Sequence, residues 1–427
     1  MTTRTSSGAV TLFLAFALGY FFSTLLRAVI ATLAPQFSTE LGLSASDLGL
    51  LAGVFFAGFA CTQLPLGAAL DRLGPKRVLL CFMSVAVLAC AAFARAQSFE
   101  GLLAARALMG VGVSAGLMAA LTSFRHAYSP ALQLRASSWM LMTGSLGTLM
   151  STLPVHALVP LVGWRGLFWI AAGGLIACGI LIAWVVPSDA AVLARTRPEH
   201  LPTSEPTSAR GSMKAYRQIV SHPTFMSLLP LGLIHYGGLI AVQTLWAGPW
   251  LTRVVNLQAS EAAGFLFLLN LSMLVSFASL GAVVPRLNRL GWGTFRLIAW
   301  VSPISAALLL AIALAGPAAG PYALVLWCVS CVPLSLSQPA VGQAFGADLV
   351  GRALSAYNLV IFLGVFVVQW GLGLLIDGLT AAGWAVPQAH QGALGLLACG
   401  CGLCGIWFIK SSAQARQSSR DDVAISP

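Results

Sequence analysis

The feature that most constrains this chain is its division into apolar runs of a length that matches a lipid bilayer. Bounded by charges, Pro or Gly, twelve runs follow one another at about 10–34, 47–69, 78–94, 101–123, 136–159, 166–186, 223–250, 262–284, 297–315, 322–343, 356–378 and 391–409. At about 1.5 Å of rise per residue, roughly 17 residues suffice to cross a hydrocarbon core. Lipid offers the backbone no hydrogen-bond partner, so such runs span it as helices. The predicted fold class is an all-α polytopic membrane protein with twelve transmembrane helices. Composition agrees: 58% of the residues are hydrophobic and 8% charged, with a mean hydropathy of +0.87. A soluble domain carries roughly a quarter charged residues, so an ordinary soluble enzyme is excluded, as are a disordered chain and a disulfide-stapled module. The nine cysteines lie in apolar runs and read as small packing residues. The first run is too long for a cleavable signal and is read as a retained helix.

Lys and Arg in the loops set the orientation. With the N-terminus inside, the cytoplasmic segments hold 18 of the 23 Lys and Arg, against three (Arg95, Arg165, Arg253) on the opposite side and two (Arg27, Arg106) within spans. This split predicts cytoplasmic termini and accounts for the net charge of +11 without nucleic acid. Residues 187–222 are polar and rich in Pro, Ser, Thr and Arg, the composition of a linker. They predict an N-terminal six-helix bundle over 1–190, a linker over 191–222, a C-terminal bundle over 223–410 and a tail over 411–427. The segment from Met213 to Pro223 is expected along the inner membrane surface. The two halves repeat. At an offset of 214, Pro35 falls on Pro249, Ser46 on Ser260, Asp47 on Glu261, Gly67 on Gly281 and Arg72 on Arg286. At 217, Arg135-Ala136-x-Ser138 falls on Arg352-Ala353-x-Ser355 and Gly147 on Gly364. Parallel repeats of this kind predict two pseudo-symmetric bundles with a solute site between them and alternating access.

Between spans two and three the sequence reads Gly67-Ala-Ala-Leu-Asp71-Arg72-Leu-Gly74-Pro75-Lys76-Arg77, and span four carries Arg106-Ala-Leu-Met-Gly110-Val-Gly112. With these motifs, the span count, the central linker and Trp164-Arg-Gly-Leu-Phe168, the whole chain resembles the major facilitator superfamily (MFS) of secondary transporters. The resemblance implies a gating or conformational role for Gly67, Asp71, Arg72, Gly74, Lys76 and Arg77, with Arg106, Gly110 and Gly112 gating or structural. Where some members of that family carry an acidic residue at the cytoplasmic end of span four, this chain has Arg125 and His126. Span five, with Gly144, Gly147, Thr148, Thr152 and Pro154, lacks the G-x-x-x-G-P-x-x-G-G pattern of the drug/proton antiporters.

A charge within the hydrocarbon costs several kcal/mol unless paired or hydrated, so ionisable residues there are functional candidates. Arg27 is foremost, about 8 residues below the predicted outer end of span one, with Tyr20 seven residues earlier on the same face. In the resembled family the first helix of each half lines the cavity and basic residues there bind anionic substrates, a task that suits a guanidinium because its planar fork meets a carboxylate or phosphate bidentately. Arg106, five residues into span four, is within snorkelling reach of the surface. In span seven, residues 235, 239, 243, 246 and 250 form one helical stripe, which aims His235, Gln243 and Trp246 at one cavity. Trp246 and Trp250 read first as an interfacial belt. Gln63, Asn270, Gln338, Asn358 and Gln369 read first as helix-packing hydrogen bonds, and Asn270 is also a substrate-contact candidate. The repeat places Ala241 opposite Arg27, so no second guanidinium completes a symmetric phosphate clamp.

All twelve carboxylates lie in loops or near span ends, leaving His235 and His156 as candidates for moving a proton. The expected function is a secondary transporter of a small organic anion, with proton symport through His235 or through protonation of the substrate itself as the coupling hypothesis and facilitated exchange left open. The alternative is efflux or siderophore-type passage of larger amphiphiles. An enzyme is not expected, nor a cofactor. A metal carrier built on His222 and Met226 is set aside because no second cluster accompanies them. The expected setting is the plasma (inner) membrane of a bacterium, as a monomer, with cargo, H+ and the lipid bilayer as partners.

Overall fold

The computed structural model describes residues 6–186, 209–346 and 349–424. Asp71, His126, Pro130, Ala131 and Leu134 sit within helices, but their side chains lie outside the described residues, as does the expected linker before residue 209. Among the described residues nine helices are long and apolar enough to cross a membrane, or ten when the pair bent by 41° after Cys61 counts as one span. One of them, Thr294–Gln343, is 50 residues long and turns back at Gly316 and Gly320, both at positive φ, so it supplies spans nine and ten. Span five begins at Pro130–Met150 and continues into Leu153–Val185, where Gly163 (φ 68°) breaks the helix and span six begins. With these two divisions the chain is a twelve-helix membrane fold.

The remaining spans are Ser6–Glu40 (one), Ala45–Cys61 with Gln63–Leu73 (two), Pro75–Arg95 (three), Phe99–Val113 with Gly116–Ala127 (four), the run from Pro223 to Val254 (seven), Ala259–Arg289 (eight), Val350–Ala381 (eleven) and Val386–Ala424 (twelve). Span one runs on to Glu40 through Pro35 instead of ending near residue 34. A separate amphipathic helix, Ala209–Val220, precedes span seven, with Ala215 and Ile219 buried and Arg217 and Gln218 exposed.

The helices group into two compact units, Met1–Gln36 with Val54–Ser204, and Phe37–Gly53 with Glu205–Pro427. Each is held by helices that meet backbone to backbone at glycine. In the first, a Cβ at Gly110 would overlap the carbonyl of Phe55, one at Gly58 the carbonyl of Ala107, and one at Gly112 the amide of Ala86. Without a hydrophobic force between helices in lipid, such close approach is what adhesion has to come from.

The repeated residues do the same job twice. Gly147 of span five presses on the carbonyl of Phe21 in span one, and its counterpart Gly364 of span eleven presses on the carbonyl of Leu233 in span seven. Asp47 and Ser44 cap the start of span two (Ser44 N to Asp47 Oδ2 3.0 Å, Asp47 N to Ser44 Oγ 3.1 Å). Their counterparts Glu261 and Gln258 form a capping box at the start of span eight. Gly147→Val and Gly364→Val are each expected to cost about 1–3 kcal/mol through overpacking, read as a lower melting temperature in detergent. Gly371→Val, on span eleven with open space around it, should leave the melting temperature nearly unchanged.

Candidate functional site

In the first unit, two guanidinium groups lie over two rings of span two. Arg106 sits 4.5 Å from the centroid of Phe55 and Arg27 5.1 Å from that of Phe59, four residues further along the same helix face. Arg106 does not snorkel: it is fully buried. Its Nη1 donates to Leu26 O (2.8 Å) and approaches Met109 Sδ (3.3 Å), while Nη2 donates to Arg27 O (3.4 Å). A mid-helix carbonyl has a second lone pair to offer, and the planar fork can take two neighbouring ones together. Arg27 itself is half-buried and lies 13 residues from Glu40, about 20 Å along the longer span one. Tyr20 is buried within electrostatic reach of Arg27, its ring packed against Gly144 of span five. Gln63 is buried beside the bend of span two and bonds Phe59 O (3.2 Å). The structure thus brings Arg27 and Arg106 together on the phenylalanine ladder, with Tyr20 within electrostatic reach of Arg27.

The loop motif divides its labour. Gly74 turns at φ 83° and donates to Leu70 O (3.1 Å), a conformation that favours glycine. Lys76 Nζ donates to Ala183 O (2.6 Å) and Val186 O (2.7 Å), which caps the last carbonyls of span six within the same unit. Arg72 and Arg77 are exposed, and a Cβ at Gly67 would meet nothing within 4 Å. The side chain of Asp71 lies outside the described residues. His156 is partly exposed on span five.

In the second unit span seven departs from the expected stripe. Three wide π-helical turns, Leu231–Tyr236, Val242–Trp246 and Trp250–Val254, take it out of the 3.6-residue period. Its polar groups therefore face three different neighbours. His235 is fully buried and lies 2.9 Å from Ser305 Oγ of span nine. Ser305 donates onward to Ser302 O (3.1 Å), which assigns the proton in the first contact to His235 Nε2 and leaves Nδ1 as an acceptor. Gln243, partly exposed, donates to Asn270 Oδ1 of span eight (2.9 Å), and Asn270 donates to Leu266 O (2.8 Å). Trp246 is buried and donates to Gln369 O of span eleven (3.1 Å), while Gln369 Nε2 donates to Thr244 Oγ1 (2.9 Å). Trp246 and Trp250 are thus inside the unit instead of in an interfacial belt, packed beside Leu372 and Ile376 of span eleven.

His390 is a group the sequence reading missed. It is buried on the first turns of span twelve, its ring 6.2 Å from that of Trp246. Together with Trp250, Leu372 and Ile376 these two rings line a small apolar cavity. The predicted twelfth span begins at 391, one residue too late to include it; the structural helix starts at Val386. His222 caps the short helix Pro223–Pro230 through Nδ1, which accepts from Thr224 N (3.3 Å).

A helical membrane protein built of two repeated halves, each with polar groups fixed at mid-span, is the class this geometry defines. The sequence model described as Major Facilitator Superfamily matches residues 16–369, and the chain belongs to that family. It is similar to a gallate transporter of Pseudomonas putida, 27% identical over 284 residues, or 61% of this chain and 62% of that one. It is also similar to the multidrug resistance protein MdtL of Shewanella sp. (strain ANA-3), 30% identical over 151 residues, 35% of this chain and 38% of the other. A solved D-xylose-proton symporter shares the fold with a TM-score of 0.75 at 14% identity, covering 93% of this chain and 97% of that one. The chain spans somewhat over half the length of the first curated relatives it matches.

Arg106→Lys should lower stability by about 1–3 kcal/mol, because an ammonium cannot bridge two carbonyls and lie flat on Phe55 at once. Thermal unfolding of the purified variant checks this, and Arg106→Met, which leaves both carbonyls without a donor, should cost at least as much.

Proposed function

We propose that this protein is a secondary transporter that moves a small organic anion by alternating access, with Arg27 as the group that meets the carboxylate. The observation that carries this reading is the pair of guanidinium groups on the Phe55–Phe59 ladder. Arg106 spends its hydrogen bonds on span one and contributes positive potential, while Arg27 sits half-buried beside it. A low-dielectric setting strengthens such a field several-fold over water, and an anion is the cargo it favours. Gallate, the cargo named for one relative, is a carboxylate of this kind. Tyr20 is proposed to share the Arg27 site. Gln243 and Asn270 are proposed to meet polar groups of the cargo, and Gly67, Asp71, Arg72, Gly74 and Arg77 to act in gating. The loop charges support cytoplasmic termini in a bacterial inner membrane.

Uptake into proteoliposomes tests the anion site. Gallate and other small aromatic or hydroxylated carboxylates should be taken up by the wild type, and Arg27→Ala should reduce that uptake by at least roughly tenfold, the loss of one charged hydrogen bond. Arg27→Lys should restore part of it by keeping the charge. Unchanged uptake in Arg27→Ala, or protection against heat by hydrophobic cations and not by carboxylates, would favour the amphiphile-efflux alternative.

For coupling, we infer that His235 takes the proton, because its Nδ1 is an acceptor buried without a partner. Cargo-driven proton flux measured with a pH dye should vanish in His235→Gln while exchange of cargo for cargo persists. Flux equal to the wild type would remove His235 from the mechanism.

A further inference from the structure

At the end of the bundle opposite the termini, the first turn of span two has a carboxylate from far along the chain seated on it. Asp377 of span eleven accepts from Ala45 N through Oδ1 (3.1 Å) and from Ser46 N through Oδ2 (2.7 Å). These are among the amides that every helix leaves without an intrahelical acceptor, at the positive end of the helix dipole. The contact is additional to the cap span two already owns, in which Ser44 and Asp47 bond each other's backbone amides.

Below the carboxylate the two helices run antiparallel in close register. A Cβ at Gly373 would overlap the carbonyl of Ala45, one at Gly49 would overlap the carbonyl of Gln369, and one at Gly53 would come within 3.1 Å of the Phe366 ring. The small positions 45, 49 and 53 thus meet 373, 369 and 366 at steps of about one helical turn. The first half of span two, up to Gly53, is grouped with the second compact unit, while the rest of the same unbroken helix is grouped with the first.

The repeat does not make a second copy. The counterparts of Ala45, Gly49 and Gly53 are Ala259, Ala263 and Phe267 of span eight, and those of Gly373 and Asp377 are His156 and Pro160 of span five. Span eight keeps its own capping box, but the aligned position on span five offers no carboxylate. A cap needed only to form the helix would have been duplicated with the other repeated caps. The asymmetry separates Asp377 from helix formation.

We propose that Asp377 is a latch: its carboxylate holds the first half of span two against span eleven, and lifting it off the first turn of span two lets that half-helix part from span eleven. This rests on the transporter reading for its purpose, but its test needs no cargo. Hydrogen exchange of the full-length protein in lipid nanodiscs, read by mass spectrometry on peptides covering 41–53 and 255–267, measures opening at the two capped helix starts. Asp377→Ala should speed exchange at residues 45–49 by roughly tenfold or more, with Asp377→Asn intermediate and Asp377→Glu closer to wild type. The 255–267 peptide should stay within about twofold in all three. Gly49→Trp, a wedge between the same two helices that leaves Asp377 in place, should give the same localised rise. Exchange unchanged at 45–49 in Asp377→Ala, an equal rise in both peptides, or whole-chain unfolding of Gly49→Trp would each overturn the latch. A failed uptake assay would count against the cargo assignment alone.

Discussion

In hydrocarbon a polar atom has only the protein to bond, and the placement of Arg106 follows from that constraint. Its guanidinium is buried at the centre of the first unit, and the acceptors it takes are the carbonyls of Leu26 and Arg27. Those carbonyls already serve the helix ladder of span one, so the arginine adds bonds without unmaking any. The guanidinium carbon lies over the ring of Phe55, a group that stabilises a cation without needing to be one half of an ion pair. Span one, span two and span four are thereby fixed around one buried charge, and Arg27 inherits its place from that arrangement.

Glycine supplies the complementary half of the same solution. Helices that lack a solvent-driven reason to associate have to gain contact area by approaching closely, and Gly58, Gly110, Gly112, Gly147 and Gly364 each admit a neighbouring backbone. The pseudo-symmetry between Gly147 and Gly364 extends this from local packing to architecture. Spans one and five are locked in one half as spans seven and eleven are in the other.

The apolar runs and the repeat were legible because length and offset depend only on sequence order. The span ends were less so: Pro35 did not stop span one, since a proline is tolerated within a membrane helix when the backbone group it frees finds another partner. The face of span seven was misread for a different reason. A stripe at 3.6 residues assumes unbroken α geometry, and nothing in Leu231–Tyr236 or Val242–Trp246 announces a wide turn. His235, Gln243 and Trp246, aligned on paper, therefore bond Ser305, Asn270 and Gln369 on three separate helices. Lys76 was legible as a basic loop residue but not as a cap, because its partners Ala183 and Val186 are more than a hundred residues away.

The wide turns of span seven carry a further implication. Each holds one residue more than its stretch of axis requires, so closing such a turn to ordinary α form with the residue retained would lengthen the helix by about 1.5 Å and rotate everything beyond it by about 100°. A change of that size would rotate Gln243 off span eight and Trp246 off span eleven together. Closing the turn at Leu231–Tyr236 is thus a route by which span seven would exchange both of these contacts in one step, with no side chain substituted and no residue lost.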